Sequence, residues 1–237
     1  MKPFLLNQVF DVNLELSIKP SGIAGVKGII IDDFLKHPGE ARAILGTAPA
    51  ANWKHIDGGR NFADYYDCRL RFPIWFPNGM IAIAHQAIES VYATKTRPQD
   101  PHIDVNWFMQ INGKRADFAF PHHDVRSPAH RSFTCLVYLN SKDESSGGTG
   151  FFRFRKSGAL ATDSAYEQAV ANDARLVEDG RDYWPDQIAD QWQMIGAVDM
   201  LPGRLLIFPS EYFHAAYHPR DSFYDFPRMT LAFWMVV

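Results

Sequence analysis

The sequence predicts a mainly β protein, a sandwich or barrel, with helices flanking it. Three observations lead there. From residue 102 onward, short apolar and aromatic runs alternate with turn residues: DVNWFMQIN (104–112), FAFPHHD (118–124), SFTCLVYLN (132–140), FFRFR (151–155), RLLIFPS (204–210), YFHAAYH (212–218) and RMTLAFWMVV (228–237). This spacing suits stacked antiparallel sheets better than βαβ units. The 18 Phe, 9 Tyr and 6 Trp favour strands as well. Before residue 100, by contrast, two segments carry helical patterning.

Taken in order, GVKGIIIDDFL (25–35) reads as a short β-branched strand running into a turn. HPGEARAILG (37–46) reads as a helix, with Pro near its start and Gly at its end. PNGMIAIAHQAIESVYATK (77–95) has apolar residues at helical spacing and is the second helix. Both are expected to pack on the outside of a sheet. Within 160–193, ATDSAYEQAVANDARLVEDG is polar, Ala-rich and helical in pattern. An insertion of this size between strands suits a lid or specificity element, and equally a solvated excursion. One domain is expected over 1–237, with support in 1–100, a β core in 104–156 and 196–237, and the helical insertion in 157–195.

A chain of 237 residues with 46% hydrophobic and 22% charged content can bury a full core without staples. The net charge of -3 shows no basic excess, which argues against nucleic-acid and membrane surfaces as partners. Cys68 and Cys135 form neither a disulfide framework nor a CxxC pair, as suits a reducing cytoplasm. The N-terminal residues lack the apolar run of a signal peptide, and no window approaches a membrane span. A cytoplasmic monomer or homodimer is expected.

The stretch PHHD concentrates metal-competent side chains. Residues two apart on a strand share a face, so His122 and Asp124 point one way and His123 the other. With a third imidazole they would complete a two-histidine, one-carboxylate triad that leaves three metal positions open. HxD alone is a common surface pattern, but later residues strengthen it. His214 and His218, four apart, are both candidates for the third ligand. Arg228 and Thr230 share a strand face, and a guanidinium beside a hydroxyl suits a small carboxylate.

Four signatures then occur in order: PHHD, TCLVYLN followed by GGTGFF, GRLLIFPSEYFH, and RMT. In these the chain resembles the 2-oxoglutarate- and Fe(II)-dependent oxygenases, particularly bacterial members of their prolyl-hydroxylase-like branch. The resemblance covers residues 104–156 and 200–237. It implies a double-stranded β-helix (jelly roll, cupin-like), with Fe(II), the co-substrate 2-oxoglutarate, and O2. The implied iron ligands are His122, Asp124 and His214. Arg228 would pair with the distal carboxylate of 2-oxoglutarate and Tyr138 would donate its phenol to it, with Thr230, Thr134 and Leu136 lining the same slot. The implied reaction hydroxylates a small molecule, amino acid or peptidyl side chain and releases succinate and CO2. Related halogenases lack the carboxylate that Asp124 supplies, so its presence implies hydroxylation or another oxidation rather than halogenation.

The chain departs from the family pattern in two ways. Its threonine follows the glycine pair directly, one place early, and HPRDSFYDF lengthens the gap between His214 and Arg228. His218 stands at the more ordinary distance, yet the FPS turn directly precedes His214, which is therefore preferred. A cupin-like metal protein and a non-catalytic sensor on the same fold are the rival readings. Arg126, Arg131, Arg153 and Arg155 cluster near the metal strands, as contacts for an anionic substrate or as solvated strand-edge charges.

Overall fold

The computed structural model describes residues 10–15, 17–47, 68–71, 78–93, 102–111, 121–125, 131–172, 189–219, 222–223 and 225–236, with backbone alone at 68–71, 78 and 102–111. In chain order the strands are β1 (Ile18–Pro20), β2 (Ile29–Ile31), β3 (Cys68–Arg71), β4 (His102–Ile111), β5 (Ser132–Tyr138), β6 (Gly148–Phe154), β7 (Trp192–Asp199), β8 (Leu205–Pro209), β9 (His214–Tyr217) and β10 (Arg228–Val236). They form two antiparallel sheets. The larger has the order β1-β2-β8-β5-β10-β4-β3 and the smaller β7-β6-β9. Three helices accompany them: α1 (Pro38–Gly46), α2 (Asn78–Tyr92) and α3 (Ser164–Asn172).

β5 explains the layering. All seven of its residues are buried, so both faces of the large sheet are covered. On one face Phe133, Cys135 and Val137 join Leu231, Phe233, Met235, Leu205 and Ile207 against the helices. α2 meets them with Met80, Ala84, Ala87 and Ile88, a helical spacing that builds one apolar stripe. On the other face Leu136, Tyr138, Leu206, Phe208, Ala232 and Trp234 meet Phe151, Val198 and Ala215 of the small sheet. Each fully buried aliphatic or Phe side chain contributes about 1.5–3 kcal/mol, so the two layers carry most of the stability.

α3 sits on the outer side of the small sheet. Its Tyr166 packs on Phe154 (5.5 Å between ring centres) and on Phe213 (4.7 Å), with Trp192 completing the aromatic group. Residues 173–188 of the expected insertion lie outside the described residues.

Three strands escape the sequence reading: β1, β3 and β7. β1 is wholly exposed, and β7 is an edge strand with mixed burial, so neither has the apolar alternation that marks a half-buried strand. β7 also takes its first residues, from Trp192 on, out of the expected helical insertion. In FAFPHHD, residues 118–120 lie outside the described residues, and His122 makes an isolated bridge to His214 rather than part of a strand.

The glycine pair before β6 is steric. Gly147 has φ of 75°, and a Cβ there would lie 1.9 Å from the Tyr217 carbonyl oxygen. A Cβ on Gly148 would lie 1.9 Å from the Val198 carbonyl oxygen. Both neighbours are ladder backbone and cannot yield. Gly39, in the first turn of α1, has nothing within 4 Å. Urea denaturation should therefore show Gly148→Ala destabilising the protein by about 3 kcal/mol or more, while Gly39→Ala stabilises it by about 0.4–1 kcal/mol.

Candidate metal centre

The bridge between His122 and His214 builds the site. The amide of each donates to the carbonyl of the other, at 3.0 and 2.8 Å. That pairing brings the two imidazoles to 4.5 Å between ring centres. Asp124 is drawn in by its own amide, which donates to the Ser210 carbonyl at 2.8 Å. Its carboxylate then lies 3.2 Å from His214 Nε2 and 3.8 Å from His122 Nε2. One ligand atom from each of the three residues falls within 4.8 Å of the others, a group that could hold a metal ion.

Hydrogen bonds orient these side chains. His214 Nδ1 lies 2.9 Å from the Tyr212 carbonyl oxygen, which only an N–H can satisfy. Nε2 is thereby the ring nitrogen that faces Asp124. The Thr134 hydroxyl donates to Asp124 Oδ2 at 3.1 Å and is 2.9 Å from Ser210 Oγ, while Trp234 pairs with Thr134 across the ladder on the same side. Burial opposes ionisation of Asp124, but the charge and hydrogen bonding of the His214 imidazole, with that of His122, outweigh it. The carboxyl is held well below the usual carboxylate range. His123 lies on the other side, 6.3 Å from the Phe213 ring, and burial lowers its pKa.

A second polar group occupies the far end of the same face. Thr230 pairs with Tyr138, Ala232 with Leu136 and Trp234 with Thr134, so these side chains share the layer between the sheets. Arg228 enters this layer with only 2% of its surface exposed. Its Nη2 donates to the Gly148 carbonyl at 3.2 Å, and its guanidinium lies 5.7 Å from the centre of the Tyr138 ring. Nε is buried with no partner, and no carboxylate among the described residues reaches it. Tyr138 Oη is 2.7 Å from Thr149 Oγ1, and burial raises the phenol's pKa against the pull of Arg228, which keeps it neutral. Thr149 and Thr230 are each 1% exposed.

His218 lies apart from the metal group, with Nδ1 3.0 Å from the Pro219 carbonyl oxygen and its ring 5.3 Å from Phe223. Thr134 serves the metal end. Its hydroxyl is engaged by Asp124 and Ser210 at the metal end, not along the slot beside Arg228. Leu136 and Ala232 lie between the two ends. The sequence reading missed Ser210, Trp234, Thr149 and Asn140. Asn140 is the Asn of the YLN motif; its Oδ1 accepts from the Met229 amide at 2.7 Å and its Nδ2 donates to the Pro227 carbonyl at 2.9 Å, clamping the residue between them. The strand spacing offered a signal for Trp234, which is six residues after Arg228 and so on its face.

A family model described as "Family of unknown function (DUF6445)" matches residues 13–227. The chain belongs to this family. No curated protein matches the DUF6445 chain in sequence. Among solved structures, the non-heme alpha-ketoglutarate-dependent carbocyclase SnoK from nogalamycin biosynthesis aligns with a TM-score of 0.53 at 13% identity, over 89% of this chain and 79% of its own. HygX from Streptomyces hygroscopicus, with nickel and 2-oxoglutarate bound, aligns with a TM-score of 0.53 at 11% identity, over 89% and 83%. A Pseudomonas putida prolyl 4-hydroxylase covers 98% of its chain at 12% identity with a TM-score of 0.47. At these identities the likeness of the DUF6445 chain to SnoK and HygX is one of fold. No helix among the described residues is long and apolar enough to cross a membrane.

Two outcomes check the metal centre. His214→Ala should abolish stoichiometric Fe(II) or Mn(II) binding while His218→Ala retains it, read by metal content after gel filtration. Thr134→Val, which keeps shape but loses the bond that orients Asp124, should weaken Mn(II) affinity roughly 10-fold or more in a titration.

Proposed function

We propose that the chain is a 2-oxoglutarate-dependent Fe(II) oxygenase on a jelly-roll fold, hydroxylating a small molecule, amino acid or peptidyl side chain. The observation that carries the reading is Arg228. A guanidinium buried to 2% exposure, with an unpartnered Nε and no acidic partner among the described residues, is costly unless an anion completes it. Its fork suits a carboxylate bidentately. It shares the inner face with the triad, as a diacid chelated at one end and paired at the other would require.

The donor set fits the metal. Two neutral imidazoles and one carboxylate, His122, His214 and Asp124, would hold Fe(II) and leave part of its coordination sphere for a co-substrate. With Fe(II) bound there, the chemistry supplied is oxidative decarboxylation of 2-oxoglutarate by O2, giving succinate and CO2, coupled to hydroxylation of the substrate. The protein's own residues do the positioning. Thr134 fixes the Asp124 carboxylate, and the Tyr212 carbonyl fixes the His214 tautomer. Arg228, with the neutral Tyr138 phenol and Thr230 beside it, would bind the distal carboxylate of the co-substrate and set its direction. Leu136 and Ala232 floor the slot between, and their apolar surface excludes water from it.

The likeness of fold to SnoK, titled alpha-ketoglutarate-dependent, and to HygX, solved with 2-oxoglutarate, supports the reading. A cupin-like metal protein has no use for the Arg228 clamp, and the intact set of ligands argues against a non-catalytic sensor.

Anaerobic addition of Fe(II) and 2-oxoglutarate should produce the weak visible charge-transfer band of the chelate. Arg228→Gln should raise the 2-oxoglutarate Kd roughly 30-fold or more, by loss of about 2–5 kcal/mol, with Mn(II) binding retained. An absent band, or an unchanged Kd in the variant, refutes the assignment.

A further inference from the structure

The arginines around the site are not equivalent. Arg131 is stacked over the rings of Tyr92 and Phe133, at 4.7 and 5.3 Å. The Arg155 Nε donates to the Ala189 carbonyl. Arg204 pairs with Asp32 at 2.6 Å and Arg42 with Glu144 at 2.8 Å. Arg126 lies outside the described residues. Arg153 alone of the four arginines clustered in sequence near the metal strands is described and uncommitted: its Nε is buried and has no hydrogen-bond partner.

Its place on β6 is informative. Phe151 pairs with His214, and its ring meets Phe208 at 5.0 Å, which sets Phe151 on the inner face of the small sheet. Thr149, two residues earlier, reaches Tyr138 on the same face. Phe152 and Phe154 alternate outward, Phe154 toward Tyr166 of α3. Strand alternation therefore carries Arg153 onto the inner face, about 7 Å along β6 from the Phe151–His214 pair. Along the layer the order is Arg228 with Gly148, then Tyr138 with Thr149, then Phe151 with His214, then Arg153. Along β6 the Phe151–His214 pair thus lies between Gly148, which receives Arg228, and Arg153, and each of these two arginines has a buried Nε that lacks a partner.

A solvated strand-end arginine would keep its Nε in water; Arg153 does not. We propose that Arg153 anchors a carboxylate of the substrate beside the metal, so that the substrate is a small carboxylic acid. This rests on the oxygenase reading above. One planar fork matches a carboxylate bidentately.

The test uses the full chain loaded with Mn(II) and saturating 2-oxoglutarate, so that the Arg228 slot is filled, and reads paramagnetic broadening of the acetate methyl resonance. Broadening should saturate with acetate in the wild type and fall roughly 10-fold or more in Arg153→Gln. Arg153→Lys should fall several-fold, because a point charge replaces the fork, and Lys156→Gln, an exposed charge in the turn after β6, should match the wild type. Acetate broadening unchanged in Arg153→Gln overturns the proposal, as does broadening of the phosphate phosphorus signal through Arg153 with none of acetate. Should Arg153→Gln lose Mn(II), Arg153→Lys decides, and wild-type broadening there overturns the proposal. Water-proton relaxation in the same samples reports 2-oxoglutarate binding to the Mn(II) protein. Its failure would refute the oxygenase reading separately, before acetate is added.

Discussion

Thr230 faces Tyr138 and Trp234 faces Thr134 across the β5–β10 ladder, and the site depends on that register. Because side chains alternate with a period of two, a slip of one residue would exchange the faces of β10. Met229, Leu231, Phe233 and Met235 would turn into the layer between the sheets, and Arg228 would be driven into the apolar layer beneath α2. Burying an unpaired guanidinium among Phe and Ile side chains costs several kcal/mol, which selects strongly against the slip. Asn140 adds a local lock, gripping the backbone on both sides of Arg228 with one amide.

The polar content of the inner layer is divided between its ends. At one end the Asp124 carboxyl is held below its usual range although buried, because the His214 and His122 imidazoles lie beside it and the Thr134 hydroxyl donates to it. Arg228 stands at the other end with its charge only partly satisfied by a carbonyl and an aromatic face. Apolar residues separate the two, so neither charge neutralises the other. Desolvated polar groups held apart in this way favour a ligand that bridges them, since both ends gain from the same molecule.

The strands that frame the site were legible because they are buried on one or both faces and carry long apolar runs. β1 and β7 were not, since an exposed edge strand is stabilised by a neighbour's backbone rather than by its own pattern. Within the site, alternation anticipated that His122 and Asp124 share a side, although neither lies in a strand and backbone bonds to His214 and Ser210 place them. His214 and His218 also share a face, and alternation cannot separate residues four apart. The backbone bridge to His122 separates them, and it joins segments distant in sequence. Thr134 and Tyr138 pose the same problem on β5, where the first reaches Asp124 and the second Thr149.

What the sequence determined by itself is therefore the chemistry present and, for the strand residues, the face on which it stands: two imidazoles, a carboxylate, a guanidinium and a glycine pair. Tertiary structure alone decided which of those groups meet, through the β5–β10 register, the His122–His214 bridge and the approach of β6 to Tyr138. The physical reason is range. Alternation is a local property of a strand, set by covalent geometry, whereas convergence of side chains from β5, β9 and β10 depends on hydrogen-bonded pairing between segments up to about a hundred residues apart.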